Sequence, residues 1–202
     1  MIPTAKHFIK TRTGPWEVWD KDRDIEVKVI KKDSNAYIYF QGSGSVKDWL
    51  INLSFPIKPY KNMKDGLWFA HGGYVKSYKS IQDRLWKEIE DCEKVFISGY
   101  SQGSAYAILA HEDLFFHDKQ VETIAYASPR VFFWWGFWQL KKRLKNLTLV
   151  HMRGDIVTHL PPIVFGFTHI GDKKKLGKKV FSILPIPKFH LPKYYIDYLE
   201  KE

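Results

Sequence analysis

Val95-Phe96-Ile97-Ser98-Gly99-Tyr100-Ser101-Gln102-Gly103-Ser104-Ala105 is the stretch on which the fold turns. A short β-branched and aromatic run ends in Gly99-Tyr100-Ser101-Gln102-Gly103, and a small-residue helical run, Ser104 to Leu109, follows directly. This is G-x-S-x-G in the strand–turn–helix setting of a nucleophile elbow. The turn is so tight that a β-carbon two residues to either side of the serine would clash, and glycine at 99 and 103 removes both clashes. Such a turn holds the Ser101 hydroxyl up at the edge of a sheet and aims the Gln102 N–H at a developing oxyanion. An ordinary strand-to-helix turn has the same bare pattern, so its weight rests on what surrounds it.

Outward from the elbow, Lys94–Ser98 is the expected strand and Ser104–Leu114 its helix. Upstream, Asp24 to Lys31 alternates apolar and charged residues as a half-buried strand does. Ala36–Phe40 is a second strand, and an Asp33-Ser34-Asn35 turn makes the pair a hairpin. Gln41-Gly42-Ser43-Gly44-Ser45 and a short amphipathic stretch, Val46–Leu53, come next. Gly66–Ala70 is another short strand. His71–Asp91 has helical spacing, with Tyr74, Tyr78, Ile81, Leu85 and Ile89 on one side. Downstream, Val121–Tyr126 and Leu147–Met152 read as buried strands, Val180–Leu184 as the last strand and Tyr194–Glu202 as a closing helix. Residues 1–20 read as an N-terminal arm. Strands alternating with helices predict one α/β domain over 1–202, with a mainly parallel central sheet and helices on both faces.

A chain of 202 residues is long enough for one sizeable core. Cys92 is the only cysteine, which excludes an internal disulfide and a cysteine-based metal site. The first residues lack the apolar core of a signal peptide, and the longest apolar run, Val131–Trp138, falls far short of the ~18 residues of a membrane span. A cytoplasmic or membrane-peripheral location is therefore expected. The net charge is +10, from 32 basic and 22 acidic residues, which draws the chain to polyanions or to anionic membrane surfaces. The densest basic segments, Lys141–Lys145 and Lys173–Lys179, read as solvated loops and helix faces.

A serine hydroxyl needs a base within hydrogen-bond reach and an acid that orients the base. In one known chain order these follow the serine as Asp or Glu, then His. Among the downstream carboxylates Asp155 stands out, because Arg153-Gly154-Asp155 directly follows a buried strand and functional side chains of open α/β sheets sit at such strand ends. The candidate bases are His159, His169 and His190. His190 is favoured, since its loop between the last strand and the last helix can reach over the sheet edge. A second oxyanion donor comes either from Ser43, just after a strand, or from the His71-Gly72-Gly73 loop. No H-E-x-x-H occurs, and this chemistry calls for no metal and no cofactor.

With these residues in view, the chain resembles the class 3 (fungal-type) lipases of the α/β-hydrolase fold. Phe40-Gln41-Gly42-Ser43, then Ser45, Asp48-Trp49-Leu50 and Asn52-Leu53, is similar to that family's F-R-G-[ST]…S…D-W-L-x-N-L. His71-Gly72-Gly73-Tyr74 with Ser77-Tyr78 resembles its H-x-G-F…S-Y at a helix start, and Ala127-Ser128-Pro129-Arg130-Val131 its G-S-P-R-V. Gly154-Asp155-Ile156-Val157 through Leu160-Pro161-Pro162 looks like G-D-P-V-P-x-L-P-P, and His190 with Tyr194 like the closing H-x-x-x-Y. The resemblance implies Ser101 as nucleophile, Asp155 as acid, His190 as base, and Ser43 with the Gln102 amide as oxyanion donors. It makes His71-Gly72-Gly73 structural and Val46–Leu53 a small lid. The elbow departs from the family's usual G-H-S-L-G-G, and Gln41 replaces its Arg.

The implied activity is that of a serine carboxylic-ester hydrolase, a lipase, esterase or phospholipase, working through an acyl-enzyme on Ser101. The partners are then a lipid or ester substrate and, at its periphery, an anionic membrane surface. Val131–Trp138, leading into Lys141-Lys142-Arg143, suits either an interfacial segment or a buried aromatic cluster. The competing class is a non-enzymatic, basic polyanion- or lipid-binding protein. With nucleic acid as the ligand, that class leaves the ordered Ser, Asp and His unexplained.

Overall fold

The computed structural model describes residues 17–23, 25–42, 57–60, 68–177 and 187–200. In β2 (Ile25–Lys32) the apolar Ile25, Val27 and Val29 are buried and alternate with charged residues, the period of two that a strand with one covered face requires. A turn at Asp33–Ser34 reverses the chain into β3 (Asn35–Phe40), and the two strands pair antiparallel from Val27–Phe40 to Lys32–Asn35. The hairpin is as expected. The expected arm ends differently: β1 (Val18–Asp20) pairs antiparallel with β2 and buries Val18. A strand of three residues is too short to show alternation in sequence.

From β3 onward the sheet is parallel. β6 (Lys94–Tyr100) lies beside β3, β7 (Gln120–Tyr126) beside β6, β9 (Leu147–Met152) beside β7 and β11 (Asp172–Leu176) beside β9. The order is β1-β2-β3-β6-β7-β9-β11. β11 occupies the basic run that reads as a solvated loop. Among the described strands it is the last in the sheet, and only its Leu176 is buried. The expected strand Val180–Leu184 lies outside the described residues. A second, antiparallel sheet was not anticipated: β4 (Ile57–Tyr60), β5 (Trp68–His71), β8 (Phe132–Phe133) and β10 (Phe167–Thr168) lie in the order β10-β8-β5-β4. Of the strand expected at Gly66–Ala70, Trp68–Ala70 belong to this sheet and residues 66–67 lie outside the described residues; the two-residue strands of the sheet carry no periodicity.

Three helices cover one face of the large sheet. α1 (Gly72–Ile89) turns Tyr74, Tyr78, Ile81, Leu85 and Ile89 inward at helical spacing. His71 starts it: the imidazole Nδ1 accepts from the Tyr74 N–H at 3.4 Å and the two rings stack. α2 (Gln102–Phe116) is buried from Gly103 to Leu114, and α3 (Phe137–Arg143) packs beside it. α4 (Pro192–Leu199) lies on the opposite face, where Tyr195 packs with Tyr100, Tyr126, Val150, Met152 and Leu176. It opens on Pro192, whose fixed φ suits a first helical position, two residues before the sequence expectation.

Polar groups inside α2 are each matched to a different neighbour, as burial demands. His111 Nδ1 meets Thr123 Oγ1 of β7 at 2.9 Å. Glu112 pairs with Arg143 of α3 at 2.7 Å. One oxygen of Asp113, Oδ2, accepts from Tyr78, Gln82 and Trp86 of α1, at 2.8, 2.8 and 3.0 Å. Asp113→Ala leaves these donors without that acceptor. We expect it to cost about 3 kcal/mol or more, lowering the thermal midpoint by roughly 6–12 °C as read by circular dichroism.

Candidate active site

Ser101 stands between β6 and α2 with φ 55° and ψ −123°, a conformation that L residues rarely adopt. The close approach that enforces it is visible at the two elbow glycines. A β-carbon on Gly99 would lie 2.4 Å from the Gly103 carbonyl oxygen, and one on Gly103 would lie 2.3 Å from that of Phe40. The Ser101 N–H donates to the Tyr126 carbonyl at 3.0 Å, fixing the elbow to β7. Gln102 opens α2, so its N–H has no acceptor one turn back in the helix. Its side chain is turned aside, donating to the Tyr106 hydroxyl at 2.7 Å. Ser43 lies outside the described residues. Its neighbour Gly42 sits against the elbow, where a β-carbon would be 3.6 Å from that of Ser101.

His190 and Asp155 come to the same place from distant segments. His190 Nε2 is 2.8 Å from Ser101 Oγ. Its Nδ1 is 3.0 Å from both Asp155 oxygens. In the tautomer that satisfies both contacts, Nδ1–H donates to Asp155 and Nε2 accepts from the serine hydroxyl. All three residues are buried, at 5%, 1% and 0% exposure for Ser101, His190 and Asp155, so bulk water does not compete for these bonds.

Each member of the relay is held by its surroundings. Asp155 follows β9, and its Oδ1 also accepts from the Val157 N–H at 2.9 Å. Tyr195 donates its hydroxyl to Asp155 Oδ2 at 2.6 Å while accepting from the Met152 N–H at 2.9 Å. Burial and the adjacent Asp155 charge push the Tyr195 phenol well above its ordinary value, so it stays a donor. The His190 ring stacks on Tyr100, whose hydroxyl donates to the His190 carbonyl. Tyr195 is the residue sequence reasoning missed, since the closing motif singles out its neighbour Tyr194. Tyr194 packs instead against Phe189. The signal was the apolar face of α4, on which Tyr195 is the one fully buried residue among those described.

The two competing bases stay apart from the serine relay. His159 Nδ1 meets the Asp155 backbone carbonyl at 2.9 Å, and His169 Nε2 meets the Thr158 carbonyl at 2.8 Å. His71-Gly72-Gly73 caps α1. Among the described residues no group of His, Cys, Asp and Glu is arranged to hold a metal ion. Arg130, in the Ala127–Val131 segment, braces the Asp155 loop from outside. Its N–H donates to the Leu160 carbonyl at 2.7 Å, and its guanidinium to those of His159 and Pro161.

The family model described as Lipase (class 3) matches residues 37–165. The chain belongs to the class 3 lipase family. A lipase from Rhizomucor miehei is 29% identical over 167 residues, or 74% of this chain and 44% of that protein. A lipase from Rhizopus niveus is 28% identical over 152 residues, or 69% and 38%. The chain thus spans less than half the length of these curated relatives. Among solved structures, the triacylglyceride lipase of Rhizomucor miehei superposes with a TM-score of 0.68 at 25% identity, over 81% of this chain and 65% of that one. Another, a triacylglycerol lipase whose catalytic centre is formed by a serine protease triad, gives the same values. The fold is that of the α/β-hydrolases, as the class 3 motifs implied.

Four histidines outside the relay, His71, His111, His151 and His169, are buried or half-buried. Burial holds His71 and His111 down to about 4. Burial together with nearby cations and histidines holds His151 down to about 2 and His169 to about 3. In the unfolded chain all four titrate near 6.5. The unfolded state therefore binds protons that the folded state refuses, and stability is lost as the pH falls from about 6.5 towards 4. We expect urea midpoints to drop steadily over that window. His111→Gln, which keeps a polar partner for Thr123, should lessen the slope by up to ~1.4 kcal/mol per pH unit.

Proposed function

We propose that this chain is a serine carboxylic-ester hydrolase of the lipase type. The observation that carries the reading is the buried relay of hydrogen bonds from Ser101 through His190 to Asp155. Ser101 Oγ attacks the ester carbonyl as His190 Nε2 takes its proton. Asp155 holds the ring and stabilises the imidazolium. The oxyanion is met by the Gln102 N–H and by Ser43, each donor worth roughly 3 kcal/mol. Support for Ser43 is that the chain reaches Gly42 right beside the elbow. His190 then gives its proton to the leaving alcohol. Water, activated by the same imidazole, attacks the acyl carbon and frees the acid. The solved triacylglycerol lipase with its serine triad supports an acyl-lipid substrate. A binding protein without chemistry would leave the strained serine and its relay without a purpose.

Reaction with a fluorophosphonate probe tests this reading. Ser101→Ala and His190→Ala should lose labelling and at least about 10⁴ of the hydrolysis rate, while His159→Ala keeps both. Equal labelling of the Ser101→Ala and unsubstituted proteins would sink the proposal.

We also propose that the protein meets its substrate at a lipid surface. Val131 and Phe132 are core residues, but Trp134, Trp135 and Trp138 are 56%, 58% and 71% exposed. The Ile163–Phe165 turn, also exposed, is joined to them by the hydrogen bond from the Trp134 N–H to the Gly166 carbonyl. Lys141 lies over the Trp138 ring. Aromatic tips beside cations suit the headgroup boundary. Replacing Trp135 and Trp138 together by Ser should weaken binding to anionic vesicles by at least about tenfold and leave fluorophosphonate labelling unchanged. Unaltered vesicle affinity would refute the contact.

A further inference from the structure

On the face of the sheet edge away from Tyr195, β9 and β11 line a cleft of about 410 Å³. The pleat sets it up. His151 stands directly opposite Lys175 in the parallel ladder, and Lys173 stands opposite Leu149, so His151, Lys173 and Lys175 share one face. Arg130 and Arg153 bring two further cations, His159 and His169 also line the cleft, and no carboxylate side chain is among its described lining.

The four fixed cations, Arg130, Arg153, Lys173 and Lys175, have no compensating carboxylate among the described lining residues. Among the described residues none of them forms an ion pair. Arg130 donates to the His159 and Pro161 carbonyls, and Arg153 to the Gly177 carbonyl at 3.1 Å. These bonds hold the two guanidiniums in place without neutralising them. The cleft also contains a buried ring nitrogen with no partner among the described residues. His151 is 7% exposed, its Nε2 has no hydrogen bond among the described residues, and its ring lies 4.7 Å from that of His169. Leaving such a group unsatisfied is costly, as is crowding like charges. Burial and the neighbouring Arg130 and Lys175 charges push the Lys173 ammonium below its ordinary value. One anion in the cleft relieves all of these at once. Two guanidiniums and two ammoniums around a single space suit a multivalent tetrahedral oxyanion better than a carboxylate.

We propose that this cleft binds the phosphate group of a phosphorylated ligand. The site is distinct from the Ser101 relay, since Gly154 is part of its wall but none of Ser101, Asp155 and His190 lines it. Its occupancy does not depend on ester hydrolysis. The phosphate belongs either to a lipid headgroup, given the exposed Ile163–Phe165 turn nearby, or to a soluble phosphate ester.

The test uses the full chain carrying Ser101→Ala, so that no turnover intervenes. Inorganic phosphate is titrated against chloride at matched ionic strength, and the thermal midpoint and the histidine ring resonances are followed. Phosphate should raise the midpoint and shift the His151 and His169 signals. Lys173→Ala with Lys175→Ala should weaken this binding by about tenfold or more, and His151→Gln should weaken it independently. Lys141→Ala with Lys142→Ala, outside the cleft, should not change it. In a second arm, vesicles of phosphatidylcholine are compared with vesicles containing phosphatidic acid as well. Binding to the latter that free phosphate competes away and the Lys173/Lys175 variant loses identifies a lipid phosphate. Phosphate binding with indifference to phosphatidic acid identifies a soluble ester. No phosphate effect beyond chloride, or equal losses from the two lysine pairs, overturns the proposal.

Discussion

Where Ser101 stands, three backbones cross with room for hydrogen and nothing larger. The strand that delivers the serine, the helix that leaves it and the end of β3 meet at Gly99, Gly103 and Phe40. That contact fixes the start of α2 against the sheet, and through α2 it fixes much else. The helix is buried along its length, and its inner polar residues tie it separately to α1, α3 and β7. The backbone at Ser101 is held in a conformation that costs on the order of 1–3 kcal/mol. The burial and pairing of the surrounding elements outweigh that cost, and the serine is left standing clear of both strand and helix.

The second organising group is the carboxylate of Asp155. It is fully buried and accepts from an imidazole, a phenol and a backbone N–H. These donors come from the 3₁₀ turn ending at His190, from α4 and from the loop after β9. Together these donors satisfy both oxygens of a carboxylate that has no access to water, and they fix it against the imidazole. Arg130 braces the same loop from the outer side, so the Ala127–Val131 segment serves the site without touching the serine.

Much of this was legible because the sequence patterns record local constraints. The elbow glycines record a steric collision. The alternation in Ile25–Val29 records a strand with one wet face, and Gly154-Asp155 records a strand end. Each involves residues close in the chain. What escaped reading depends on the third dimension. β8 and β10 are pairs of residues that become strands only by meeting each other and β5. β11 is a lysine run whose strand character comes from the ladder offered by β9, not from any propensity of its own. Tyr195 was hidden because the hydroxyl that matters differs from its neighbour's only in which side of α4 it occupies. The basic cleft was hidden for a related reason. Arg130, His151 and Lys173 are far apart in sequence, and only the pleat and the crossover bring their side chains to one hollow.

The relay joins a serine at position 101 to a histidine 89 residues later. On the ribosome, the elbow and its helix emerge first, together with the strands that hold them. At that stage the serine is an ordinary alcohol, inert towards any ester it meets. Only after residues 187–199 have left the exit tunnel and α4 has settled on the far face of the sheet do base and phenol arrive together. Assembly of the relay is thus withheld from the nascent chain until its last-made described segment has docked.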